Sequence, residues 1–261
     1  MPYVMSSGGV RIRYEIVGSG PPLVLHIGGF GSLEDWEDAG YVAALRDTYR
    51  LILLDPRGQG QSDAPHDPAD YGPTERVQDV LTVLDTLRLQ HAHFWGYSLG
   101  GGVGFALAAT ASDRLLSLIA GGADPYPRSD RRADEHPWIP LLQKGMTALV
   151  AACEAEDPAF FVSAGERARW LALDAKAMIA AMTAEPATAG VADRLPGLMT
   201  PALIYCGTAD NPEPSERAAR SMPNASFAPL AGLDHAQAIN RSDLILPDVL
   251  AFLDKLQNSS K

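Results

Sequence analysis

Three residues of this chain have the types and the order that nucleophilic acyl chemistry requires: Ser98, Asp210 and His235. A serine hydroxyl is a weak nucleophile at neutral pH, so it needs a base within hydrogen-bond reach and an anion to orient that base. Ser98 stands in Gly96-Tyr97-Ser98-Leu99-Gly100, between the apolar run His93-Phe94-Trp95 and the small-residue run Gly101 to Ala109. This reads as a nucleophile on a sharp strand-to-helix turn, where strand and helix come too close for side chains and only tiny neighbours fit. His235, in Gly232-Leu233-Asp234-His235, follows the last expected strand, from which an imidazole can reach over the sheet edge. Asp210, ending Gly207-Thr208-Ala209-Asp210, is expected as the acid. Its rival is Asp124 in Gly122-Ala123-Asp124-Pro125, whose plainer reading is a turn or cap. Asp234, beside the base, is expected to point elsewhere as a solvated loop residue.

The tetrahedral intermediate of acyl transfer puts negative charge on the former carbonyl oxygen, and two backbone N–H groups are needed to hold it. Leu99 is expected to give one. The other is expected from the glycine-rich loop Gly28, Gly29 and Gly31, which lets the backbone bend close to Ser98.

Positioning these groups requires a layered frame. Val10 to Val17 alternates apolar and polar residues, the mark of a strand with one wetter face. Leu23 to Ile27 and Leu51 to Leu54 are short apolar runs ending in Gly- or Pro-rich loops, as strands covered on both faces by helices should be. Arg76 to Leu89 carries Val77, Val80, Leu81, Leu84 and Leu87 at helical spacing, and His91 to Tyr97 follows as the strand entering the serine turn. A helix from Leu99 to about Ala111 then leads to a strand at Leu115 to Ala120. The alternation predicts a doubly wound α/β sheet, mostly parallel and flanked by helices. From Asp124 to Leu198 it stops; helices are expected at Pro140 to Ala155, Pro158 to Trp170 and Asp174 to Ala184, with no convincing strand. The sheet resumes at Ala202 to Cys206, with a helix near Ser215 to Ser221, a strand near Ser226 to Pro229 and a last helix at Pro247 to Leu256. The expected division is a core of residues 1–123 and 199–261 with a helical insertion at 124–198.

Composition narrows the class. A hydrophobic share of 46% in 261 residues supports an ample core, and a net charge of -11 argues against a nucleic-acid partner, which needs clustered Lys and Arg. Cys153 and Cys206 form neither a disulfide framework nor a metal-ligand spacing, so a reduced, cytoplasmic setting is expected. No signal segment or membrane span is read. No phosphate loop or dinucleotide fingerprint appears, and no cofactor or metal is expected. Whether the chain is a monomer or a homodimer is left open.

In order along the chain, Pro21-Pro22-Leu23-Val24-Leu25, Asp55-Pro56-Arg57-Gly58-Gln59-Gly60-Gln61-Ser62, the Ser98 turn, Gly207 to Asp210 and His235 resemble the α/β-hydrolase superfamily, of the esterase, lactonase and haloperoxidase-like kind. The resemblance covers nearly the whole chain and implies the α/β-hydrolase fold and a Ser-Asp-His triad. The family usually carries His-Gly-x after its third strand; here Ile27-Gly28-Gly29 falls there, so the family histidine is missing and Gly29 becomes the donor. A shifted register would make Phe30 the donor. His26, one position early, reads as a core or supporting residue.

The resemblance also implies that the insertion forms a cap whose residues decide specificity. Trp138, Phe160, Phe161, Trp170 and Met178, with Phe30, Trp36 and Tyr97 from below, are the expected wall residues, and they point to an apolar acyl or ring-bearing substrate. Glu34 and Asp35 are expected in a solvated loop. The leading function is hydrolysis of a small, largely apolar carboxylic ester or lactone through an acyl-enzyme on Ser98. The alternatives are carbon–carbon bond hydrolysis or cofactor-free perhydrolysis with the same triad, and a slow-hydrolysing small-molecule receptor. Dehalogenases and epoxide hydrolases of this fold place an aspartate where Ser98 stands, which disfavours both.

Overall fold

Near-continuous apolar runs, whose successive side chains point to opposite faces, let the central strands pack against helices on both sides. In the computed structural model, which describes residues 2–127, 136–184 and 190–259, eight strands form one sheet. They are β1 (Tyr3–Met5), β2 (Arg11–Val17), β3 (Pro22–His26), β4 (Arg50–Leu54), β5 (Ala92–Tyr97), β6 (Leu115–Gly121), β7 (Ala202–Gly207) and β8 (Ala225–Leu230). Their spatial order is β1-β2-β4-β3-β5-β6-β7-β8. Strands β1 and β2 run antiparallel to their neighbours, and the other pairings are parallel.

The helices are α1 (Glu34–Asp38), α2 (Tyr41–Leu45), α3 (Pro73–Thr86), α4 (Leu99–Thr110), α5 (Ile139–Leu142), α6 (Met146–Glu156), α7 (Ala164–Ala172), α8 (Ala175–Ala184), α9 (Pro212–Ser221), α10 (His235–Asn240) and α11 (Ser242–Ser259). On one sheet face Val24, Ile52, Phe94, Leu118 and Ile204 pack against α3, α4 and α9. On the other, Leu25, Leu53, Trp95, Ile119 and Tyr205 pack against α1, α2, α10 and α11. A third cluster joins Ile139, Leu149, Trp170 and Met178 of α5 to α8 with Phe30 and Tyr71 from the loops at the end of the parallel strands. Among the described residues no helix is long and apolar enough to cross a membrane.

Several boundaries differ from the sequence expectation, each for a local reason. The helix expected from Pro140 is split by Gly145 at φ 101°, a conformation costly for residues with a Cβ. The next helix starts only at Ala164, because the Ser163 side chain accepts the Glu166 N–H at 3.0 Å and caps it there. Strand β1 is too short for a periodic signal, and α11 starts before Pro247, which lies inside it. Parts of the insertion expected over 124–198, at 128–135 and 185–189, lie outside the described residues.

Two histidines are sealed into this frame. His26 Nδ1 donates to the Ile27 carbonyl at 2.9 Å and His93 Nδ1 lies 2.8 Å from Ser117 Oγ. Burial lowers both imidazoles from an ordinary 6.5 to about 4. Between these values the unfolded chain binds protons that the folded chain refuses, so stability falls as pH drops from about 6.5 towards 4 and then levels off. Each shift corresponds to a contribution on the order of 3 kcal/mol. The urea midpoint is expected to fall between pH 7 and pH 4.5, with a smaller fall for His93→Gln; equal falls in the two proteins would contradict the assignment for His93.

Candidate active site

The end of β5 forces the chain into a turn that an ordinary backbone avoids. Ser98 has φ 53° and ψ −116°, a strained conformation for a residue with a side chain. It is held by bonds from Ser98 N to the Gly121 carbonyl at 2.8 Å and from Gly102 N to the Ser98 carbonyl at 3.0 Å. A Cβ at Gly96 would collide with the Gly100 carbonyl, and one at Gly100 with the His26 carbonyl. Both glycines are therefore demanded by the close approach of β5, α4 and β3.

Ser98 Oγ lies 2.9 Å from His235 Nε2, and His235 Nδ1 lies 2.7 Å from Asp210 Oδ2. An ionised carboxylate only accepts, so Nδ1 carries the proton and Nε2 presents its lone pair to the serine hydroxyl. The bond from His235 holds the Asp210 carboxyl below the usual carboxylate range, against a smaller opposing effect of burial. Burial raises the neighbouring Cys206 thiol to about 11, and its Sγ sits 3.7 Å from Asp210 Oδ2 as a neutral weak donor.

His235 is the first residue of α10. Asp234, expected in a solvated loop, instead caps that helix: its carboxylate accepts the Gln237 N–H at 2.8 Å while Gln237 Oε1 accepts the Asp234 N–H at 3.2 Å. Tyr97, expected on the pocket wall, is buried below it and donates its hydroxyl to the His235 carbonyl at 2.5 Å. Asp124 borders the site but makes a turn, accepting the Tyr126 N–H at 3.0 Å. The structure brings Asp210, not Asp124, to the imidazole.

The glycine-rich loop is held by a residue that sequence reasoning did not single out. Gln59 Oε1 accepts the Phe30 N–H, and Gln59 Nε2 donates to the Gly28 carbonyl at 3.2 Å. The Phe30 amide is therefore engaged within the chain, whereas the shifted-register alternative would need it to face the substrate. Among the described residues the N–H groups of Gly29 and Leu99 make no bond within the chain, and both residues border the same cavity as Ser98. Gln59 carries no periodic signal in its loop; only its place in the run from Asp55 to Ser62 marks it. That run is a buttress. Asp55 accepts the N–H of Leu33 and of Gln61, each at 2.8 Å, and Arg57 forms a two-bond pair with Asp79 of α3 at 2.6 and 2.7 Å.

The aromatic expectations need correction. Trp36 is fully buried on the far side of the sheet, edge-on to Tyr41 and Trp95, because α1 turns that face towards α2 and β5. Phe30 stacks on Trp170 at 4.7 Å between ring centres and meets Trp138 edge-on at 5.3 Å. Neither tryptophan borders the two cavities that reach Ser98. Phe160 and Phe161 pack edge-on against Trp170. Glu34 and Asp35 are not solvated loop residues. Glu34 pairs with Arg13 at 2.7 Å, and Arg169 of α7 bridges Asp35 at 2.5 Å and Asp38 at 2.7 Å.

A mostly parallel sheet with a strained serine at the end of its central strand, facing an imidazole after the last strand, defines the class. The chain belongs to the α/β-hydrolase family: the sequence profile described as alpha/beta hydrolase fold matches residues 21–194. It is similar to a protein of Azorhizobium caulinodans with the provisional name carbamate hydrolase RutD, 34% identical over 158 residues. That alignment covers 58% of this chain and just over half, 56%, of the relative. A protein of Caulobacter segnis with the same provisional name is 29% identical over 96% of this chain and 99% of its own length. Among solved structures, the enol-lactonase from Burkholderia xenovorans LB400 superposes with a TM-score of 0.82 at 29% identity, covering 97% of this chain and all of the other.

Proposed function

We propose that this protein is a serine hydrolase that cleaves a carboxylic ester or lactone through an acyl-enzyme on Ser98. The observation that carries this reading is the unbroken chain from Ser98 Oγ through His235 to Asp210, beside two backbone donors that have no partner among the described residues. His235 Nε2 takes the serine proton as Oγ attacks the acyl carbon, and the carbonyl oxygen, now anionic, lies against the N–H groups of Leu99 and Gly29. The imidazolium then returns the proton to the departing alkoxide. Water attacks the acyl-enzyme by the same route, releasing the acid and restoring Ser98. Asp210, held in its ionised form, fixes the tautomer and supports the imidazolium. The helices between β6 and β7 act in this reading as a cap over the donor loop. Similarity over the full chain to an enol-lactonase supports including lactones in the substrate class.

The test is a panel of p-nitrophenyl esters and lactones, run beside labelling by a fluorophosphonate and mapping of the modified residue. Turnover with a single adduct on Ser98 is expected. Labelling without turnover of any ester or lactone would favour the receptor reading, and an adduct elsewhere would defeat the mechanism.

Gln59 supplies a sharper prediction. Gln59→Leu removes both bonds that set the 28–30 loop, so the Gly29 donor loses its position for the transition state while ground-state contacts stay. We expect kcat to fall by about 10- to 100-fold, less than the loss of a whole oxyanion donor, with KM changed little. A variant with raised KM and unchanged kcat would show that Gln59 serves binding instead.

A further inference from the structure

Ser98 lies at the junction of two cavities with opposite chemistry. One, about 460 Å³, begins at Ser98, Leu99 and Gly29 and runs along α4 as far as Thr110 and Ala111. Its floor is the stripe Gly102, Ala106 and Thr110, one residue per turn, and its apolar walls include Val77 and Leu81 of α3 and Val191. Its polar side chains include Arg76, whose Nε donates to the Tyr71 carbonyl at 2.9 Å, Asp124, engaged with the Tyr126 amide, and Thr74 and Gln78 of α3. The other cavity, about 440 Å³, is bordered by His235, Asp210, Asn211, Asp124, Ser215 and Arg217.

We infer that the first cavity takes the acyl chain of the substrate and the second its alcohol, so that the preferred substrate is a medium-chain acyl ester of a polar alcohol. This rests on the hydrolase reading above. Once Oγ has added, the acyl carbon carries the oxyanion, the acyl chain and the leaving oxygen. The oxyanion faces Leu99 and Gly29. The leaving oxygen must lie where His235 Nε2 can hand it a proton, and His235 borders the second cavity and not the first. The acyl chain is thereby directed along α4. From Leu99 to Thr110 the helix rises about 16 Å, the reach of an extended chain of roughly twelve carbons. Within that length each added methylene leaves water for an apolar wall and should raise kcat/KM about three- to fourfold. The second cavity, with two carboxylates and one guanidinium at its border, suits an alcohol that brings hydroxyl or charged groups of its own.

The experiment compares acetyl, butyryl, octanoyl, decanoyl, dodecanoyl and palmitoyl esters of one alcohol. A rise in kcat/KM to the decanoyl or dodecanoyl ester and a decline at palmitoyl are expected. Ala106→Leu obstructs the floor midway and should lower the octanoyl-to-acetyl ratio at least tenfold, and Leu81→Trp, from the opposite wall, should act in the same direction. A profile highest at acetyl, or equal loss on both esters in two folded variants, would overturn the assignment. Decanoate binding by calorimetry separates this from a failure of the hydrolase reading. If no ester is turned over, binding to the native protein that Ala106→Leu weakens still supports the groove, and absence of binding to the native protein refutes it.

Discussion

Ser98→Ala is expected to reduce kcat for ester hydrolysis by about 10⁴- to 10⁶-fold, the scale seen when a triad nucleophile is removed. The fold should persist. The hydroxyl's side-chain bond is to His235, and the strained backbone at φ 53° is no worse for Ala than for Ser, because both carry one Cβ. Thermal melts of the two proteins should therefore superpose while fluorophosphonate labelling and the acyl burst both vanish. Turnover within tenfold of the native rate would end the acyl-enzyme mechanism.

Asp210→Asn is expected to cost about 10⁴-fold in kcat, whereas Asp124→Asn should stay within about tenfold. The amide at position 210 can turn its N–H towards His235 Nδ1, which moves the ring proton to Nε2. The imidazole then meets Ser98 as a donor and cannot take its proton. Asn at position 124 still offers an oxygen to the Tyr126 amide, so its turn survives. Because Asp210 is held below the ordinary carboxylate range, its protonation does not limit the native enzyme in mildly acidic solution. Steady-state rates on one ester decide between the carboxylates, and the reverse ranking would move the acid to Asp124.

The serine turn was legible because several local facts agree there: an apolar strand, glycines where strand and helix nearly touch, and a small-residue helix. The relation of Asp210 and His235 was legible from their order and their places after strands. The aromatic residues were not. Trp36 reads the same whether its helix faces the site or the opposite core, and the answer depends on contacts with Tyr41 and Trp95 that no local pattern encodes. The choice between Gly29 and Phe30 turned on the Phe30 N–H donating to Gln59, about thirty residues away in sequence. Asp234 is a further case: its neighbour Gln237 three residues on completes a capping box, a signal present in the chain but unread.

The stack of Phe30 on Trp170 leaves the protein with two unequal routes for diversification. Phe30 is the direct chain neighbour of Gly29, so changes to this aromatic stack also move the Gly29 amide, the proposed oxyanion donor, and are expected to cost speed. The side chains on α3 and on the outer turns of α4 have no such link to the reacting atoms. Directed evolution for altered chain length should accumulate its tolerated changes on that second flank.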